Sequence, residues 1–327
     1  MKNILIGLLL IILTGAMIGG IVYNKSLAKQ NNLDEPFATN KKCPYKNINQ
    51  LRCEPELAKK KKEYVVLKSD LVDYIETEKK DGSITSASVY FRDLQNGPIM
   101  SINEQELFAP ASLLKVPLMI TYFKKAEEDP SVLKRKLTVA GNIQSLPQNI
   151  TAEKSAEKGK TYTIDELIAL LITQSDNTSW KMLLNDLRKE YSENYFVMIL
   201  SDLGIIDPRK SDDMQYITVQ SYASIFRILY NSSYLNLAMS DKALGLLSQS
   251  VFNDGIVAGI PEGIKVAHKF GERKEGTEQQ LHDCGIVYYP QNPYLICIMT
   301  KGQDILTQEK IIQQISKDIY QEIEERN

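Results

Sequence analysis

The change of hydrophobic period along the chain constrains its fold more than any other feature. Ser86 to Leu94 (SASVYFRDL) alternates apolar and polar residues as a strand does, and Asn96-Gly97 offers a tight hairpin into a second strand, Pro98 to Asn103. Near the other end, Gly285 to Tyr289 and Tyr294 to Thr300 are apolar strands around the turn Pro290-Gln291-Asn292-Pro293. A helix accompanies each pair. Leu67, Leu71, Tyr74 and Ile75 recur at helical spacing before the first pair, and Ile311, Ile312, Ile315, Ile319 and Ile323 share one helix face after the second. Between them, Ala111 to about Leu247 is helical in pattern almost throughout. The class this predicts is α+β: an antiparallel sheet flanked by terminal helices, with an all-helical lobe inserted between its strands.

What precedes Tyr64 is different material. Ile4 to Tyr23 carries no charge, and at about 1.5 Å per residue it matches a bilayer core about 30 Å thick. Residues 1–23 read as a membrane anchor, the alternative being a signal segment cleaved near Ala28. Residues 24–63 read as a polar stalk: they are rich in Asn and Lys, broken by Pro36, Pro44 and Pro55, and without an apolar face. Cys43 and Cys53 there either form a disulfide or stay as thiols, whereas Cys284 and Cys297 read as small buried residues. The expected location is the cell membrane, with the body of the chain, residues 64–327, on the extracytoplasmic side as a monomer. That body holds 28 Lys and Arg against 36 Asp and Glu, which argues against a nucleic-acid partner. Two His in the whole chain speak against a His-rich metal site, and no cofactor is implied.

Chemistry enters at Phe108-Ala109-Pro110-Ala111-Ser112-Leu113-Leu114-Lys115. A Ser and a Lys three apart at a helix start share a face, so the amine can take the hydroxyl proton once its pKa is lowered. Helix-start N–H groups can also hold an oxyanion. Taken alone, the pair describes an ordinary solvated helix face. Further on, Thr163 and Glu166 form a capping box for an apolar helix that runs into Gln174-Ser175-Asp176-Asn177-Thr178. Ser175 can relay a proton and Asn177 can bind an amide, although any of these residues also serves as an N-cap. The third element is Val266-Ala267-His268-Lys269-Phe270-Gly271-Glu272, strand-like, with a Lys beside the site and a Gly that permits close approach.

Three such elements in this order resemble the penicillin-recognising serine enzymes, and in particular class A β-lactamases and their serine-hydrolase relatives. The resemblance runs from Tyr64 to Asn327. It implies Ser112 as the acylated nucleophile and Lys115 as its proton acceptor. It also implies Ser175 and Lys269 as the pair that handles the leaving nitrogen and a substrate carboxylate, and Asn177 as a contact to the substrate amide. The oxyanion hole would be the backbone N–H groups of Ser112 and Glu272, with Gly271 allowing the approach.

Two departures stand out. Phe270 occupies the place where the family usually has Thr, and no Glu-x-x-Leu-Asn string lies between Asn177 and Lys269. The counterpart of that loop, Leu203 to Ile217, offers Asp207, Asp212 and Asp213, which read as exposed loop acids. His268 reads as a strand residue beside the site and His282 as a structural hydrogen-bonding group. Three functions follow. One is a hydrolase that acylates Ser112 with a β-lactam amide and releases it, slowly without the loop Glu. The others are a D-alanyl-D-alanine peptidase or penicillin-binding protein acting on peptidoglycan peptides, and a non-enzymatic muropeptide-binding envelope domain.

Overall fold

Five antiparallel strands form one sheet in the order β2-β1-β7-β6-β5. The computed structural model describes residues 64–95, 97–140, 150, 153–205 and 215–326. The anchor, the stalk, Cys43, Cys53, Asp207, Asp212 and Asp213 therefore lie outside the described residues. β1 (Ile84–Asp93) and β2 (Ile99–Ile102) come from the N-terminal part, and β5 (Val266–Glu275), β6 (Glu278–Val287) and β7 (Tyr294–Gly302) from the C-terminal part. β1 and β7 join the two parts along nine registered residue pairs, from Ile84 with Gly302 to Asp93 with Tyr294. β1 keeps this pairing up to Asp93, and Arg92 is already opposite Ile99 in β2. The connection is therefore a six-residue loop rather than the expected two-residue turn at Asn96-Gly97.

Alternation along β7 supplies two cores. Ile296 and Ile298 face one side with Val89, Phe91 and Leu281, where α1 (Val65–Lys80) and α8 (Ile305–Arg326) cover them. The five isoleucines on the expected face of α8 are all buried there, each burial worth about 1.5–3 kcal/mol. Leu295 and Met299 face the other side, against the helical lobe. That lobe holds α2 (Lys115–Glu128), α3 (Ile164–Thr173), α4 (Asn177–Glu190), α5 (Glu193–Asp202), α6 (Val219–Tyr230) and α7 (Leu237–Leu247). It is not wholly helical. Lys136–Thr138 (β3) and Thr161–Thr163 (β4) pair as a small sheet, too short for their period to show in the sequence.

Cys284 and Cys297 correct the reading of two buried thiols, for they form a disulfide. β6 and β7 place them directly opposite each other, and both face the helical lobe. Register across strands, which neither strand's own sequence reveals, brings the sulfurs together. Among the described residues, no helix is long and apolar enough to cross a membrane.

Candidate active site

The Ser112 segment is held by side chains from three directions before it makes any functional contact. Gln280 Oε1 accepts from Ala109 N–H at 3.0 Å, His282 Nε2 lies 3.0 Å from Ala109 O, and the Tyr222 hydroxyl donates to Leu113 O at 2.9 Å. Phe108 also pairs with Ile217 at the end of the loop that precedes α6. Ala111 takes a left-handed φ of 47°, an arrangement that costs a non-glycine residue energy and survives because its surroundings dictate it. Ala111–Leu114 then forms a 3₁₀ turn, and α2 begins at Lys115. In a 3₁₀ turn residues three apart eclipse each other, so the Ser112 and Lys115 side chains leave the turn in the same direction.

Ser175-Asp176-Asn177 divides the two roles its sequence left open. Ser175 bends the chain at φ 53° between α3 and α4. Asp176 is the N-cap of α4, accepting from the N–H groups of Thr178 and Ser179. It also accepts from Ser155 Oγ at 2.5 Å and Ala156 N–H at 3.2 Å, which ties residues 155–156 to the site. Because Asp176 caps the helix, Ser175 and Asn177 are left to face Lys115.

Lys115 Nζ is the hub. It lies 3.0 Å from Ser112 Oγ, 3.0 Å from Ser175 Oγ, 2.5 Å from Ser175 O and 2.8 Å from Asn177 Oδ1. An ammonium has only three donors, and four oxygens surround this nitrogen. To act as a base the amine must be neutral, with two N–H donors and a lone pair that can accept from the Ser112 hydroxyl, so it bonds at most three of these four oxygens at a time. Burial lowers its pKa to about 7, against the opposing pull of Asp176 and Glu272. Lys269 Nζ donates to Ser175 Oγ at 2.9 Å and Phe270 O at 2.8 Å. Its pKa is also pushed down, by burial first and then by Lys115. One hydroxyl, Ser175 Oγ, thus bridges both lysines, as a proton path from Lys115 to a leaving group requires.

β5 is the edge strand of the sheet, as expected, and runs directly past the 3₁₀ turn. A Cβ on Gly271 would come within 2.9 Å of Leu113 Cγ and 3.1 Å of Leu113 N, so only glycine permits this approach. The approach brings β5 against the turn that carries Ser112. Phe270 packs its ring on Phe252 with centroids 4.3 Å apart. Behind it, His268 Nδ1 meets Asp283 Oδ1 at 2.8 Å in a fully buried pair, and Asp283 Oδ2 accepts from Ile256 N–H. His268 is thus engaged away from the serines, and His282, with its pKa lowered by burial to about 4, is a neutral hydrogen-bonding group.

The structure gathers Ser112, Lys115, Ser175, Asn177 and Lys269 in one hydrogen-bonded network, with Gly271 against the Ser112 turn. Reasoning from sequence missed the supports: Gln280, Tyr222, Asp283 and the capping by Asp176. Only the last carried a local signal, since Asp is as good a cap as its neighbours. Among the described residues, no group of three or more His, Cys, Asp or Glu is placed to hold a metal ion.

Comparisons with known proteins bear on the fold and the family. PBP-A superposes at a TM-score of 0.67 with 20% identity, covering 81% of this chain and 98% of that one. A point mutant of PBP-A, solved as an acyl-enzyme complex with penicillin G, gives 0.65 and 21%, with 80% and 97% covered. A β-lactamase from Xanthomonas campestris gives 0.66 and 16%, with 79% and 98% covered. No curated protein matches the chain. These likenesses establish a β-lactamase/transpeptidase-like fold. The sequence profile described as Beta-lactamase enzyme family matches residues 67–323, and with that span matched, the chain belongs to the beta-lactamase enzyme family.

Proposed function

We propose that this chain is a serine hydrolase of the class A type that forms an acyl-enzyme at Ser112. The observation that supports it most directly is the single buried amine of Lys115, 3.0 Å from both Ser112 Oγ and Ser175 Oγ. Lys115 takes the Ser112 proton as the oxygen attacks an amide carbonyl. The Ser112 Oγ–carbon bond forms, and the carbonyl oxygen gains charge facing the N–H groups of Ser112 and Glu272. As the carbon–nitrogen bond breaks, the proton passes from Lys115 through Ser175 Oγ to the leaving nitrogen, with Lys269 fixing that hydroxyl. Asn177 Oδ1 holds Lys115 in place, and its amide faces the substrate. A β-lactam amide suits this attack because ring opening keeps the leaving nitrogen tethered beside Ser175. Release of the acyl-enzyme is slow in this reading, because no Glu-x-x-Leu-Asn string lies between Asn177 and Lys269 to supply the loop Glu that activates water.

The second reading, a D-alanyl-D-alanine peptidase or penicillin-binding protein acting on peptidoglycan, is favoured by the likeness to PBP-A, one structure of which is an acyl-enzyme with penicillin G. Both readings place residues 64–327 outside the cytoplasmic membrane, tethered through residues 4–23. The test is intact-mass detection of a covalent adduct. Wild type gains the mass of a broad panel of β-lactams or activated esters and Ser112→Ala gains none. An adduct that persists in Ser112→Ala, or none in wild type, removes the proposal.

A further inference from the structure

We propose that the leaving-group side of this cleft selects acyl donors that carry no free carboxylate there, such as esterified or amidated compounds or ones bearing a cation. The inference rests on the acyl-enzyme reading of Ser112 and adds the class of substrate that reaches it. It sets this chain apart from a site built for penicillins or for peptides ending in a free carboxylate.

The first observation is that Lys269, the cation that would receive a carboxylate, is closed off. It is 0% exposed. Two of its donor directions are taken by Ser175 Oγ and Phe270 O, and Nζ stands 4.1 Å from the centroid of the Phe270 ring. An ammonium has three donors. Here two meet oxygens and the remaining side is covered by an aromatic face, which holds a cation well and repels an anion.

Phe270 is the second observation, because it both covers the lysine and lacks a hydroxyl to offer. Its ring cannot swing aside cheaply. It is 3% exposed and packed on Phe252, within the core between the sheet and α8.

The third is Glu272, which follows on the same face of β5, since side chains two apart on a strand point the same way. Its Oε1 accepts from Ile150 N–H at 2.8 Å, which anchors the carboxylate. Its charge is felt there, for it raises the pKa of both Lys115 and Lys269 against their burial. Arg273 alternates to the other face and donates to Glu275 at 2.8 Å. An incoming carboxylate therefore meets a like charge and a covered cation, whereas a neutral or positive group meets neither obstacle.

Benzylpenicillin and its methyl ester differ only in this charge, and the acylation rates of Ser112 by each, read by intact mass on the full chain, form the test. Wild type is acylated faster by the ester, by about tenfold or more given the cost of like-charge juxtaposition. Glu272→Gln and, separately, Phe270→Thr shift the ratio of the two rates severalfold toward benzylpenicillin. A ratio taken on one protein sample is unaffected by its folded fraction. If benzylpenicillin acylates wild type as fast as the ester, or Glu272→Gln leaves the ratio where it was, the inference is overturned. If neither compound labels Ser112, the acyl-enzyme reading itself falls, and this inference with it.

Discussion

The two faces of β5 do opposite work. Lys269 and Gly271 face the helical lobe, where Lys269 meets Ser175 and Gly271 lets the strand touch the Ser112 turn. His268, Phe270 and Glu272 face the other way, where His268 is locked to Asp283 and Phe270 to Phe252. Proton-transfer chemistry is concentrated on one face, and the control of what approaches it is on the other. The difference teaches that residues adjacent in sequence need not share a task. A strand turns each side chain away from its neighbour, so a catalytic Lys can sit between two residues, His268 and Phe270, that are anchored in a different core.

The largest effect should come from the lobe-facing network. Lys115→Ala should slow acylation of Ser112 by about 10² to 10⁴, the usual worth of a positioned base. Stopped-flow or timed mass measurements with an activated ester would show it, and an unchanged rate would return Lys115 to the role of a buried structural amine.

On the opposite face the expected effect is on stability. Asp283→Ala leaves His268 and Ile256 N–H buried without their partner, and each buried polar group so orphaned costs about 1–3 kcal/mol. Urea unfolding measures it. A loss below about 1 kcal/mol, within the range of an ordinary single hydrogen bond, would mean the two faces are less divided than drawn here.

The pH dependence sharpens the comparison further. Burial lowers the Lys115 pKa to about 7, so its basic form is abundant above that pH and scarce below it. Acylation by an uncharged ester should therefore fall about tenfold per pH unit below the midpoint and level off above it. A profile that is flat from acid to alkaline pH would exclude Lys115 as the base.

The smallest effect is expected where the strand meets the turn. Gly271→Ala puts a Cβ 2.9 Å from Leu113 Cγ and 3.2 Å from Pro110 O, so strand and turn must part by a few tenths of an ångström. Overpacking of this kind costs about 1–3 kcal/mol. A lowered melting temperature together with slower acylation is the expected pair of results. Slower acylation at full stability would mean that the approach serves the oxyanion site alone.

Much of the site was legible because its three elements are local: Ser112 and Lys115 one turn apart, Ser175 and Asn177 flanking a helix cap, Lys269 on a strand before Gly271. Helical and strand periods recovered the terminal helices and most of the sheet in the same way. What could not be read is whatever depends on two distant segments meeting. Cys284 bonding Cys297, His268 pairing with Asp283 and Phe270 packing on Phe252 are matters of register and alternation. The expected two-residue hairpin failed for that reason as well, since β1 stays paired with β7 as far as Asp93.

By itself, then, the sequence determined the α+β class, the order of the elements and the three local motifs, because period and short-range spacing are written along a single segment. That the motifs share one site was implied by the family resemblance. Only the tertiary structure decided that Asp176 rather than Ser175 or Asn177 caps the helix, that Lys115 is buried deeply enough to be a base, and that Lys269 is covered. Desolvation and charge coupling come from every segment packed around a group, and no single stretch of chain carries that sum.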